Sequence, residues 1–398
     1  MAFSLGSRAG VAVLLSARQI FMTASSIAVV TVLIGTCSLV SAQSGSLSEL
    51  YRISGDEHQF SANHDALVLD ARSVAVIDRS ERSIKLFLGT QLVRTIGRAG
   101  EGPGEFRHLS RLLLSGDELW AYDVTLRRAT RFDDRGGVAE SFQLPADVSA
   151  TGGRLGPPYL LGFAGGRELV LSLGPPRSGA WPVWAGEPGR QTLIVRGSRT
   201  GSFSEVLAAV NGAETCTVMV RTSRAMTLLK VPLCRSSIWS IDDVGNRLAV
   251  VEEAVGGSGR GRLRVISIAT TGDTLWRREL PFQAIPLPAS VRDSIEKVLT
   301  RRIEGVAGGK RSGVDINMPS SYPGATEVLL SQSGEVWVRG FPGDGQVNWW
   351  VISSDGQRVR TMILSDRLMV RSIRGTTLAG VLEDEYDVPD IVVYRVVD

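Results

Sequence analysis

From residue 64 onward the chain alternates apolar and polar positions in short runs, and the pattern recurs at intervals of about 40 to 60 residues. Its clearest copy is residues 109–144, LSRLLLSGDELWAYDVTLRRATRFDDRGGVAESFQL. An apolar strand ends at a Gly-Asp turn, a second strand ends at Asp123, a third ends at Phe132-Asp133, and a fourth edge strand closes the unit. Each short alternating run is half-buried strand, and each Gly/Asp cluster is a turn. Four antiparallel strands repeated at this period predict the blades of a β-propeller.

Six copies can be counted. Residues 65–97 form the first, with Asp78 and Phe87 matching Asp123 and Phe132 of the second in spacing. The third is weaker, with strands at 169–172 and 191–195 separated by a Gly-, Pro- and Trp-rich excursion over 174–190 that holds Trp181 and Trp184. The fourth has strands at 237–241, 247–252 and 262–268, the fifth at 326–330, 335–339 and 348–352, and the sixth at 368–373, 377–382 and 391–396. The fold class is therefore all-β, a six-bladed propeller of four-stranded antiparallel blades spanning 43–398. An open ring would expose sheet edges. The stretch 47–53 has no partner of its own and is expected to supply the outer strand of the last blade.

One segment departs from the strand pattern, giving a single helical insertion over about 288–324. Residues 290–304 place Val291, Ile295, Val298, Leu299 and Ile303 on one helix face, with Ser290 and Asp293 as a capping box and Pro288 just outside. A Gly-rich run follows at 305–313. The insertion reads either as a helix packed on the rim or as a lid over one mouth of the channel.

The first 42 residues carry only Arg8 and Arg18 as charges, hold an almost wholly apolar run at 27–40, and end in Val40-Ser41-Ala42. This is the pattern of an export signal cleaved after Ala42, with an uncleaved anchor as the alternative reading. The expected location is secreted or periplasmic. Cleavage takes the 44 basic residues down by two, against 41 acidic. That balance supplies no field for nucleic acid or an anionic membrane, so neither is an expected partner. An oxidising compartment would join Cys216 and Cys234. A hairpin centred on Ala225 would place the two opposite each other, and two buried free thiols are the alternative.

The linker IGRAGEGPGEF at 96–106, followed by LWAYD at 119–123 and Arg127 to Phe132, resembles an NHL-type repeat. The chain as a whole is similar to exported bacterial six-bladed propeller proteins that carry a GEGPGEF linker between their first two blades. The resemblance implies a fold and no particular reaction. The linker is not a phosphate loop, because it lacks the terminal Lys-Ser/Thr and feeds a strand instead of opening a helix.

Candidate chemistry follows from topology. Second strands return to the mouth where inner strands begin, so Asp78, Asp123, Glu252, Arg339 and Glu383 are expected to gather there, with His64 and His108 nearby. The competing reading makes each Asp a turn cap. No cofactor is expected and no metal ligands are assigned, because the chain has three histidines and no clustered cysteines. The function read from this is a monomeric binding or interaction module for an unknown small molecule, peptide or protein. The alternative is a metal-assisted lactonase-like hydrolase or lyase with calcium or zinc in the channel, calcium being held by Asp78, Asp123 and Glu252. Trp120, Trp239 and Trp337 read as blade packing, and Trp181 and Trp184 as exposed loop aromatics.

Overall fold

The computed structural model describes residues 45–397, except 61–64, 147, 151–152, 156–157, 166–167, 175–177, 180–191, 201, 212–215, 222–225, 243–244, 257–258, 308–317 and 384–387. The leader, His64, Trp181, Trp184 and most of the Gly-rich run at 305–313 therefore lie outside the described residues.

Six four-stranded antiparallel sheets follow one another along the chain. From innermost to outermost strand, blade 1 is Ala66–Val68, Ser73–Asp78, Ser83–Leu88 and Gln91–Ile96. Blade 2 is Leu109–Ser115, Glu118–Asp123, Arg128–Phe132 and Val138–Gln143. Blade 3 is Tyr159–Ala164, Glu168–Leu173, Thr192–Gly197 and Phe203–Val210, and blade 4 is Ile238–Ile241, Arg247–Val255, Arg260–Ala269 and Thr274–Gln283. Blade 5 is Ala325–Leu330, Val336–Gly340, Gln346–Ile352 and Val359–Ser365. Blade 6 takes Leu368–Arg374, Thr377–Glu383 and Pro389–Val397 from the end of the chain and Ser46–Ile53 from its beginning. The expected closure is present, with Ser46 opposite Val397 and Ile53 opposite Ile391.

The core lies between blades, because each twisted sheet buries both faces against its neighbours. Trp120 packs on Phe163 with ring centroids 4.9 Å apart, joining blades 2 and 3. Trp337, Trp349 and Met362 of blade 5 meet Val370 and Leu378 of blade 6. Ile53, Phe87 and Val393 join blade 6 to blade 1. Trp120 and Trp337 are thus buried packing residues as the sequence implied, and the half-buried Trp239 packs against the core between blades 3 and 4.

The GEGPGEF linker is a clamp between blades 1 and 2. Arg128 donates to the carbonyls of Glu101, Gly102 and Glu105, and Glu105 accepts from Arg98 and from the Gly102 N–H. Gly97 has φ +81°, and a Cβ there would meet the buried Phe106 ring at 2.4 Å. Both constraints require glycine.

The helix spans Ala289–Ala307. Its first N–H groups, those of Val291 and Arg292, donate to the Pro288 carbonyl, so Ser290 lies inside the first turn and the expected Ser290–Asp293 capping box does not form. Ile295, Leu299 and Ile303 are buried on the helix face, but Val298 is 43% exposed, one step off the apolar stripe. The buried face packs on Val218, Val220 and Val231 of the hairpin Thr217–Arg221 and Met226–Lys230. Cys216 and Cys234 are disulfide-bonded with Cα atoms 5.4 Å apart. The hairpin register differs from the one expected. Thr217 faces Lys230, which puts Cys216 beside Val231, and a tight turn carries Cys234 back to it. Among the described residues no helix is long and apolar enough to cross a membrane.

Candidate functional site

Inner strands begin, and second strands end, at the same mouth of the channel. The channel holds a cavity of about 230 Å³ lined by the innermost strands of five blades, through Asp65, Arg111, Ser240, Glu327 and Arg371 and their neighbours, from the first residues of the inner strands of blades 1 and 2 to the last residues of those of blades 4 and 5.

A repeated irregularity builds this lining. In four of the six blades the ladder between first and second strand skips one inner-strand residue: Ser110, Leu161, Thr326 and Arg371. Such a bulge bends the strand and re-aims the side chains around it. It also frees second-strand carbonyls, and the bulged hydroxyls take them up. Ser110 Oγ donates to the Tyr122 carbonyl at 2.9 Å, and Thr326 Oγ1 donates to the Gly340 carbonyl at 3.0 Å. The charged residue that follows, Arg111 in blade 2 and Glu327 in blade 5, lines the channel. In blade 6 the bulged residue is itself charged, Arg371. Ser372 beside it accepts the Val68 N–H at 2.7 Å, tying the last blade to the first next to the cavity.

The cavity lining carries two acids, Asp65 and Glu327, and two arginines, Arg111 and Arg371. Burial pushes the Asp65 carboxyl above the ordinary aspartate range, against the pull of Arg371, Arg111 and Arg79. Burial likewise raises Glu327, opposed by Arg371 and Arg339 and reinforced by the negative charge of Asp65. Arg371 is the cation common to both. Among the described residues, Asp65, Glu327, Arg111 and Arg371 form no ion pair within 4 Å. Arg371 Nε and Arg339 Nε are buried without a hydrogen-bond acceptor.

This leads to a prediction. Burial makes folded Glu327 hold its proton to higher pH than it does in the unfolded chain. Below the unfolded-state value, about pH 4, both states are protonated and the carboxyl costs nothing. As pH rises above that value the unfolded chain ionises first, and wild-type stability falls relative to a neutral amide. Glu327→Gln is therefore expected to be more stable than wild type at neutral pH and to match it at about pH 4. Thermal unfolding at the two pH values checks this; a variant less stable at neutral pH would make Glu327 a structural ion.

The residues expected from the sequence are placed as follows. Asp78 is 1% exposed and holds its own turn. It accepts from the N–H and hydroxyl of Ser80 and from the Glu81 N–H, and its other oxygen lies 2.7 Å from Lys85 Nζ. Burial works against its charge, but these partners together keep its carboxyl below the ordinary range. Asp123 is fully buried and accepts N–H bonds from Arg107, His108 and Leu126 at 2.7 to 2.9 Å. Arg128, next along the blade, holds the linker. Glu252 faces Arg264 across the blade 4 ladder at 3.5 Å. Glu383 ends the second strand of blade 6, half-buried, and His108 has an exposed side chain.

None of these lines the channel cavity. Arg339 alone reaches it electrically. It lies directly opposite Glu327 in the ladder and donates to Thr326 Oγ1 and to the Asp366 carbonyl. Among the described residues no group of three His, Cys, Asp or Glu side chains is placed to hold a metal ion, so Asp78, Asp123 and Glu252 do not form the calcium set considered from sequence. The groups that line the cavity belong to the inner strands, one step further in than the second-strand ends expected from topology. Their signal is a charge interrupting an apolar inner strand, with a hydroxyl before it in Ser110-Arg111 and Thr326-Glu327.

No family model matches the sequence, and no curated protein matches it. Several solved structures share its chain course. A member of the DUF4221 family from Bacteroides vulgatus is 9% identical, with 89% of this chain and 98% of that one covered and a TM-score of 0.46. A Bacteroides fragilis protein is 11% identical over 89% of this chain and 96% of that one, TM-score 0.39. The calcium-binding protein regucalcin from Agrobacterium tumefaciens is 11% identical over 89% of this chain and 95% of that one, TM-score 0.35. No ligand or reaction is carried over from likenesses at this level.

Proposed function

We propose that this protein is an exported, monomeric binding module whose central channel takes a small polar anion. One observation carries the reading: the guanidinium groups of Arg111 and Arg371 and the half-buried Asp65 and Glu327 line one channel cavity without being consumed in ion pairs among the described residues. Unpaired charge held out of water costs stability, so a fold that retains it here without using it favours a ligand role. Burial disfavours the charged forms of Asp65 and Glu327, which lessens their repulsion of an anion. An incoming carboxylate or phosphate would meet Arg111 and Arg371 as bidentate donors. Export is supported by the leader pattern, by the resemblance to exported six-bladed propellers, and by a disulfide that suits an oxidising compartment.

A ligand that binds only the folded state raises its unfolding temperature. The test is a thermal-shift panel of small di- and tricarboxylates, organophosphates, neutral sugars, calcium and zinc. Stabilisation by at least one anion class and not by the metals alone is expected. Stabilisation by calcium or zinc alone would favour the metal-assisted enzyme instead.

A further inference from the structure

A second cleft, of about 220 Å³, lies between blades 4 and 5 at the foot of the helical insertion. Its chemistry is opposite to that of the channel. Four half-buried rings line it, Phe282, Tyr322, Phe341 and Trp350, together with the side-chain amides of Gln283 and Asn348, and no charged residue lines it. Tyr322 and Phe341 lie with ring centroids 4.3 Å apart and planes tilted by 30°.

The cleft is built into the fold. Phe282 is set between two glycines: a Cβ at Gly261 would come within 2.2 Å of its ring, and one at Gly324 within 2.4 Å. The chain leaving blade 4 and the chain entering blade 5 are pinned together beside it, through Tyr322 N–H to the Ile285 carbonyl and Leu287 N–H to the Ser320 carbonyl. Glu253 fixes the same junction, accepting the Gly324 N–H at 2.7 Å and pairing with Arg235 at 2.6 Å. Ile285 stands at the edge, 53% exposed.

We infer that this cleft is a binding subsite for one ring of a neutral carbohydrate. Aromatic faces bury the C–H face of a sugar ring, and an amide both donates to and accepts from adjacent hydroxyls. Here the rings and amides occur together, and neither Gln283 nor Asn348 spends its side chain on a protein partner among the described residues. A charged ligand would find no counter-charge. Polyproline peptides also dock on aromatic surfaces, but along grooves several residues long. This cleft is smaller than the roughly 300–1,000 Å³ of pockets that hold larger ligands, which suits a single ring.

The test is affinity electrophoresis of the folded protein through gels containing soluble glucan, mannan, xylan or galactan, followed by calorimetric titration with oligosaccharides of whichever retards it. At least one neutral glycan is expected to bind. The double variant Gln283→Ala, Asn348→Ala is expected to lose at least tenfold in affinity at unchanged unfolding temperature, because both residues are exposed. Arg371→Met is expected to leave glycan binding intact, since the channel is a separate site. The inference is overturned if none of the four glycans binds, if the amide variant binds as wild type does, if Arg371→Met abolishes binding, or if a polyproline peptide binds in place of every glycan.

Discussion

Deleting residues 45–53 is expected to leave a chain that cannot be recovered as a stable folded monomer. The segment supplies the outer strand of blade 6, with seven residues paired from Ser46 to Ile53. It also buries Ile53 between blade 6 and blade 1, against Phe87 and Val393. Next to it Asp390 accepts from Arg52 and from the Gly55 N–H at 3.2 and 2.8 Å, fastening the two ends of the chain together. Each lost ladder bond is worth about 0.5–1.5 kcal/mol net, and burial of one large aliphatic side chain about 1.5–3 kcal/mol. Together these approach the roughly 5–15 kcal/mol that holds a typical domain folded. The bared strand Pro389–Val397 would also present an unpaired apolar edge, which promotes association. Size-exclusion chromatography with urea unfolding checks this. A truncated monomer with the wild-type urea midpoint would mean that the ring does not depend on its closing strand.

The second large effect is at Asp123. Asp123→Ala is expected to cost about 3 kcal/mol, because one buried carboxylate serves three N–H groups and charged hydrogen bonds are worth about 1.5–3 kcal/mol each. Water can reach the exposed residues Arg107 and His108 after the substitution, which keeps the loss below the simple sum. Asp133 provides the control. It caps its own turn through the Arg135 and Gly137 N–H groups, but it is exposed, and Asp133→Ala is expected to cost no more than about 1 kcal/mol. Urea unfolding of both variants checks the pair of values. An Asp123→Ala loss no larger than the control would mean that its carboxylate is free for other chemistry.

These cases show how much was legible in the sequence. Six copies of an alternating pattern, with Asp78 and Asp123 at matching turns, were enough to give the blades and the closure, because strand period and turn chemistry are local signals. What failed depended on register. Directly opposed cysteines would centre the hairpin between Cys216 and Cys234 on Ala225, whereas a turn after Val231 lets residues out of register meet. The Ser290 cap failed for a similar reason: the helix starts one residue earlier, on a proline carbonyl.

The channel lining was less legible than the fold. Topology points to the second-strand ends, and Asp78 and Asp123 lie there outside the lining of the channel cavity. Their nearest backbone N–H groups claim them first. Arg111, Glu327 and Arg371 were harder to read, since an isolated charge in an apolar strand gives no direction until the bulges aim it. Arg339 belongs to both readings. It lies near the end of a second strand, and its ladder position opposite Glu327 sets it beside the channel lining.

The proposal that the channel cluster exists to hold an anion is tested most directly by calorimetric titration of the best anion from the thermal-shift panel. Wild type and the double variant Arg111→Met, Arg371→Met are compared, methionine being chosen to keep the volume of the stems. The account predicts a saturable one-to-one isotherm for wild type and a loss of at least a hundredfold in affinity for the variant, which still folds. Binding equal in the two proteins, or no anion binding to wild type at all, would contradict it.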